Sequence, residues 1–142
     1  MVGAGEKKEK GTVGKAGEDA AVHWLEAKGF IIRDRNWRSH HREIDIIAES
    51  PQAVHIVEVK TRSLPEFCRS APLDIASETL APASAVDSRK QSRLVAAANH
   101  YIAFNHITKE VQFDIVAVIL YPDGSPSIEY IPAAFFPITF GR

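Results

Sequence analysis

Residues 111–120, Val-Gln-Phe-Asp-Ile-Val-Ala-Val-Ile-Leu, limit the fold more than any other stretch of the chain. Every residue after Asp114 is apolar, and most are β-branched. A strand with one wet face would alternate, and this one does not. It reads as a strand buried on both sides, central in a sheet that helices cover on each face. Two helical stretches can serve as covers. In residues 14–28, Ala21, Trp24 and Leu25 share a face, and Gly29 stops the helix. In residues 84–105, Val86, Leu94, Val95, Ala98 and Ile102 form the packed side, with Ser84 or Asp87 as cap. Tyr101 and Phe104 are expected to pack as well. Strands are expected at 30–38, 42–48 and 54–62, and a final edge strand at 127–131 after the turn 121–126. The order helix, three strands, helix, strands predicts an α/β protein: a three-layer α/β/α sandwich with a mixed central sheet.

Two of these strands carry charge where a buried strand should be apolar. On residues 42–48, Glu43, Asp45 and Ile47 share a face, and Ile44, Ile46 and Ala48 take the other. On residues 54–62, Ile56, Glu58, Lys60 and Arg62 lie opposite Val57, Val59 and Thr61. Residues 49–53 are few enough for a hairpin. Pairing with the charged faces together brings Asp45, Glu58 and Lys60 to one place. Two adjacent carboxylates repel, and burial raises the cost. Lys60 supplies one positive charge, and a divalent cation would supply the rest. Asp45 and Glu58 are hard oxygen ligands suited to Mg²⁺ or Mn²⁺, with water and substrate phosphate completing the shell. Lys60 can hold an attacking water or stabilise charge developing on phosphorus. The set fits metal-assisted phosphodiester hydrolysis. Glu43 has the parity of Asp45 but ranks below it, as a rim residue.

Around these strands lies an ordered series of motifs: Gly17-Glu18-Asp19-Ala20-Ala21, Arg35-Asn36-Trp37-Arg38, Glu43-Ile44-Asp45-Ile46-Ile47-Ala48 and Val57-Glu58-Val59-Lys60-Thr61-Arg62. Weaker pieces are Ala85-Val86, Lys90-Gln91, Arg93-Leu94 and Phe113-Asp114-Ile115-Val116. The series resembles the YraN/UPF0102 family, within the PD-(D/E)XK restriction-endonuclease-like superfamily and close in layout to archaeal Holliday-junction resolvases. The resemblance implies a restriction-endonuclease-like fold and a magnesium-dependent endonuclease acting on branched or structured DNA. Asp45, Glu58 and Glu18 would bind the metal, and Lys60 would complete the catalytic set. It also implies a homodimer, since resolution of a junction needs two active sites. Arg42 departs from the family pattern, which usually has Gly before Glu-Ile-Asp.

Other positions admit two readings. Glu18 projects beside the apolar helix face. Geometry allows a first-turn acid favoured by the helix dipole, or a third acid aimed at the metal; the resemblance favours the second. Arg33, Arg35, Arg38 and Arg42 cluster with His40 and His41 around Trp37. They suit nucleic-acid contact or a solvated strand rim, and Trp37 is expected in the core. Arg89, Lys90 and Arg93 open the second helix and suit a solvated face or phosphate contact, as does Arg62. His40 and His41 are expected in a loop, and His23 exposed. Asp114 is expected to fix local structure.

Composition sets the remaining bounds. With 142 residues, residues 14–142 suggest one domain after a mobile tail at 1–13. The net charge of −1 does not advertise a nucleic-acid binder, so a DNA surface would come from local clustering. The lone Cys68 excludes an intrachain disulfide. No apolar run is long enough to span a bilayer and no signal-peptide core is present, so a cytoplasmic protein is expected. Residues 63–83, rich in Pro, Ser and Ala, are expected to form a long loop beside the site. Two rivals to an active nuclease remain. One is a non-catalytic nucleic-acid- or protein-binding module on the nuclease fold. The other makes Asp45–Lys60 and Glu58–Arg62 structural ion pairs.

Overall fold

The computed structural model describes residues 11–65 and 87–136. Most of the expected tail, nearly all of the 63–83 loop with Cys68, the stretch 84–86 and residues 137–142 lie outside the described residues. The elements are α1 (Thr12–Ala27), β1 (Ile31–Ser39), β2 (Arg42–Glu49), β3 (Ala53–Ser63), α2 (Ser88–Phe104), β4 (Glu110–Leu120) and β5 (Pro126–Phe135).

The five strands form one sheet in the order β1-β2-β3-β4-β5. β1, β2 and β3 are joined antiparallel, β3 and β4 run parallel, and β5 returns antiparallel on the far edge. The parallel pair requires a crossover, and α2 lies within it. β4 is buried on both sides, as its composition predicts. Phe113 and Ile115 pack with Leu94, Ala97, Ala98 and Tyr101 of α2. Val116, Val118 and Leu120 pack with Ala21, Val22 and Leu25 of α1. The helices therefore cover opposite faces, giving the expected three-layer α/β/α sandwich with a mixed sheet. Each fully buried aliphatic side chain such as Leu25 contributes roughly 1.5–3 kcal/mol. Among the described residues no helix is long and apolar enough to cross a membrane.

The helix ends follow local chemistry. Gly29, at φ 99°, lets the chain leave α1 while its amide reaches Glu26 and the Phe30 amide reaches Leu25. Asp87 caps α2 by accepting the Lys90 amide at 2.9 Å. Three sequence expectations change. First, α1 starts at Thr12, so Glu18 lies beyond the first turn and the dipole explanation for it fails. Second, Phe104 is 76% exposed rather than packed. It is the last residue of α2 and lines a shallow surface groove with Trp37, Ser39, His100 and Ala103. Third, β2 does not alternate throughout. Ile44 and Ile47 both pack on the α2 side, whereas Ile46 and Ala48 pack on the α1 side. The alternation slips by one residue at Asp45.

Candidate metal and phosphate site

That slip builds the site. The β2–β3 ladder runs from Glu49↔Val54 to Ile46↔Val57 and goes no further. At the next residue the Asp45 carboxylate stands in for the ladder: its Oδ2 accepts the Val59 amide at 2.9 Å. On the other side, β1 pairs Arg35 with Ile46 and Trp37 with Ile44, passing over Asn36 and Asp45. Asn36 is left-handed, with φ 50°. Asn is one of the few residues that tolerates this region. Its side-chain amide donates to both Glu18 oxygens, at 3.1 and 3.3 Å.

A cleft of about 280 Å³ opens where the strands part. Val13, Gly14 and Glu18 of α1, Asp45 of β2, Glu58, Val59, Lys60 and Thr61 of β3, and Lys90 of α2 line it. The three acids are buried, with Glu18 at 3%, Asp45 at 7% and Glu58 at 4% exposure. The approach of α1 depends on Gly17. A Cβ there would stand 1.9 Å from the Thr61 hydroxyl oxygen, so only glycine lets the helix lie this close to β3. Glu18, the next residue, is thereby held over the cleft.

Glu58 is strongly perturbed. Burial, and then the charge of Asp45, pushes its carboxyl up to about 7, although Lys90 draws it down. It forms an ion pair with Lys90, whose Nζ lies 3.0 Å from Glu58 Oε2. The lysine on Glu58 thus comes from α2. Arg62, the partner that a purely structural pairing would require, is exposed and does not line the cleft.

Of the residues singled out in the sequence, Glu18, Asp45, Glu58, Lys60 and Lys90 come together. Glu43 pairs with Arg38 at 3.5 Å, outside the cleft. Arg35 bonds Asp19 at 2.7 Å and lies 3.9 Å from Glu18, so it braces α1 against β1. Arg33 is similarly committed, to Tyr101 Oη and Glu49. Arg42 is half-buried, and Arg93 is exposed one turn beyond Lys90. His40 and His41 form the β1–β2 turn, with φ 53° and 65°; Arg42 itself is not left-handed. His23 is exposed and Trp37 packs edge-on against Tyr101, both as expected.

Two further features escaped sequence reasoning. Asn36 was visible as an Asn, a poor strand former, inside a strand motif. The second is a buried network on Asp114, which accepts from His55 at 2.7 Å, Tyr130 at 2.6 Å, Gln112 at 2.9 Å and the Ala133 amide at 2.9 Å. It gives Asp114 the structural role expected of it.

The donor chemistry fits a hard dication. Asp45 and Glu58 are buried carboxylates lining one partly open cleft, and Mg²⁺ sites often use one or two carboxylates with water and phosphate. Among the described residues no three acidic, His or Cys side chains already stand close enough to hold a metal ion. Glu18, held by Asn36, would therefore have to shift or act through water.

The fold and cleft define an α/β protein with an acid-and-lysine cleft where two strands part, of nuclease-like layout. The chain belongs to the uncharacterised protein family UPF0102, whose model matches residues 17–118. It is 43% identical to a UPF0102 protein of Bacteroides fragilis over 132 residues, which is 93% of this chain and 98% of that protein. A UPF0102 protein of Bacteroides thetaiotaomicron is 42% identical over the same shares. One of Christiangramia forsetii is 38% identical over 128 residues, 90% of this chain and 97% of the relative.

Proposed function

We propose that this protein is a metal-dependent nuclease of the PD-(D/E)XK type, hydrolysing phosphodiester bonds in branched or otherwise structured DNA. The observation that supports it most is the pair of buried carboxylates, Asp45 and Glu58, lining one cleft with Lys60 and Glu18. Asp45 and Glu58 would hold Mg²⁺ or Mn²⁺. The ion would supply positive charge to the phosphate and lower the pKa of a bound water. Lys60, exposed on the cleft wall, can orient the attacking water by hydrogen bond and offset charge on the phosphate. Asp45 is fixed by the Val59 amide, so its carboxylate keeps its position without cost at the moment of reaction. Glu18, fixed by Asn36, adds negative charge at the α1 side. Arg62 and Arg93, both exposed, would meet the DNA backbone with Arg42 at the hairpin, while Lys90 and Arg38 would first have to leave Glu58 and Glu43. Cutting a junction on two strands calls for two copies of the cleft, and hence a homodimer.

One observation favours a second reading, a binding module without turnover: Lys90 already neutralises Glu58. Cleavage assays separate the two. Labelled four-way junction, flap and linear duplex DNA are incubated with Mg²⁺ or Mn²⁺ and with wild-type, Asp45→Asn or Lys60→Ala protein. The expected result is cleavage of a branched substrate leaving 5′-phosphate ends, lost in both variants. Binding of a junction with no cleavage under either metal would leave only the binding module.

A further inference from the structure

The Lys90 ammonium already sits on the carboxylate that a divalent cation in this cleft would need. The Lys90 ammonium lies 3.0 Å from Glu58 Oε2 and lines the same cleft as Asp45 and Lys60. The two partners differ in freedom. Glu58 is fixed on β3 with a side chain 6% exposed, while the Lys90 side chain is 45% exposed on the first turn of α2. The lysine can swing away on its four-carbon stem; the carboxylate cannot follow. A cation held by Glu58 and Asp45 would face that ammonium at close range, and two like charges there repel strongly. Lys60, on β3 itself, is the other lysine of the cleft, so releasing Lys90 leaves one lysine in place.

Resting on the metal-site reading above, we infer that Lys90 is a built-in counter-ion that a divalent cation must displace from Glu58, after which its ammonium is free to bind a substrate phosphate. Without metal, Lys90 stabilises an otherwise repulsive carboxylate pair. With metal, the same charge becomes available at the mouth of the cleft. Cation binding therefore comes first and creates a phosphate-binding group that the metal-free protein lacks. The binding of a cation and of an anionic ligand are linked through one side chain.

The test is Mn²⁺ affinity of the full chain at about pH 8, read from the paramagnetic resonance of free Mn²⁺. Wild type is compared with Lys90→Met, Arg89→Met and Glu58→Gln, each checked for its melting transition. Arg89 is the exposed neighbour, so its variant reports the general effect of losing a positive charge. Removing the competing ammonium should tighten Mn²⁺ binding by about three- to tenfold, the equivalent of one partly exposed ion pair. Arg89→Met should change it less than about twofold, as expected of a screened surface charge. If Lys90→Met binds no tighter than Arg89→Met while Glu58→Gln abolishes binding, the counter-ion role is wrong and the metal site stands. If neither wild type nor Lys90→Met binds Mn²⁺, the metal site itself is wrong, and the inference falls with it.

Discussion

Asn36, at a left-handed position in β1, donates to both carboxylate oxygens of Glu18 on α1. Backbone and side chain contribute separately there, and two substitutions part them. Asn36→Gly keeps the backbone and removes the amide. It should cost about 1–3 kcal/mol, because a buried carboxylate loses two contacts. Asn36→Ala adds a Cβ in the left-handed region and should cost roughly 1 kcal/mol more. Urea unfolding measures both; equal stability in the two variants would mean that the left-handed backbone is not held in solution.

Gly17→Ala should destabilise, although alanine is the better helix former by about 1 kcal/mol. Its Cβ would lie 1.9 Å from Thr61 Oγ1 and 2.8 Å from Thr61 Cβ. Overpacking of this kind costs about 1–3 kcal/mol or more. Thr61→Ala should rescue it only in part, since the Thr61 Cβ contact remains, whereas Thr61→Gly should relieve the clash. A rise in melting temperature for Gly17→Ala alone would show that α1 does not lie this close to β3.

Glu58 links stability to pH. Its carboxyl titrates near 7 in the folded chain, against an ordinary value of 4.5, because burial and then Asp45 disfavour the charge. Below about pH 4.5 both states hold the proton and nothing is lost. As pH rises from about 4.5 to 7 the unfolded chain releases its proton while the folded chain holds it, so the native state loses stability. Glu58→Gln removes that loss. In metal-free buffer it should gain on wild type between about pH 4.5 and 7 and level off above, at about 3 kcal/mol. A constant difference across this range would contradict the burial of a charged Glu58.

Asp114 behaves in the opposite sense. Burial pushes its carboxyl up, but His55, Tyr130, the Ala133 amide and Gln112 together hold it below the ordinary range. Its stabilisation is present above about pH 4 and lost as pH falls through the lowered value. Asp114→Asn should cost about 1–3 kcal/mol near neutrality, because its amide NH₂ would face buried donors that the carboxylate now accepts. That deficit should shrink in acid. A deficit that persists unchanged to low pH would assign the loss to packing alone.

The layered fold was legible because β4 is apolar on both faces, and only two covering helices satisfy such a strand. The acids and Lys60 were legible as charges on strands otherwise built of β-branched residues. The slip at Asp45 was not. Period-2 alternation assigns Ile44 and Ile46 to one face, and nothing in their side chains announces that Asp45 replaces the ladder at Val59. The partner of Glu58 was hidden for a related reason: Lys90 is 32 residues away in sequence and reaches Glu58 only through the parallel crossover. The nearer Arg62 fits the spacing but is exposed. Local pattern also misplaced Phe104, because a helix's last residue need not have a neighbour to cover it.

The most direct measurement is calorimetric titration of Mg²⁺ or Mn²⁺ into wild type, Asp45→Asn and Glu58→Gln, with and without a four-way DNA junction. The expected result is metal binding that needs both carboxylates and strengthens when the junction is present. Absence of metal binding in wild type, with and without DNA, would contradict the catalytic reading.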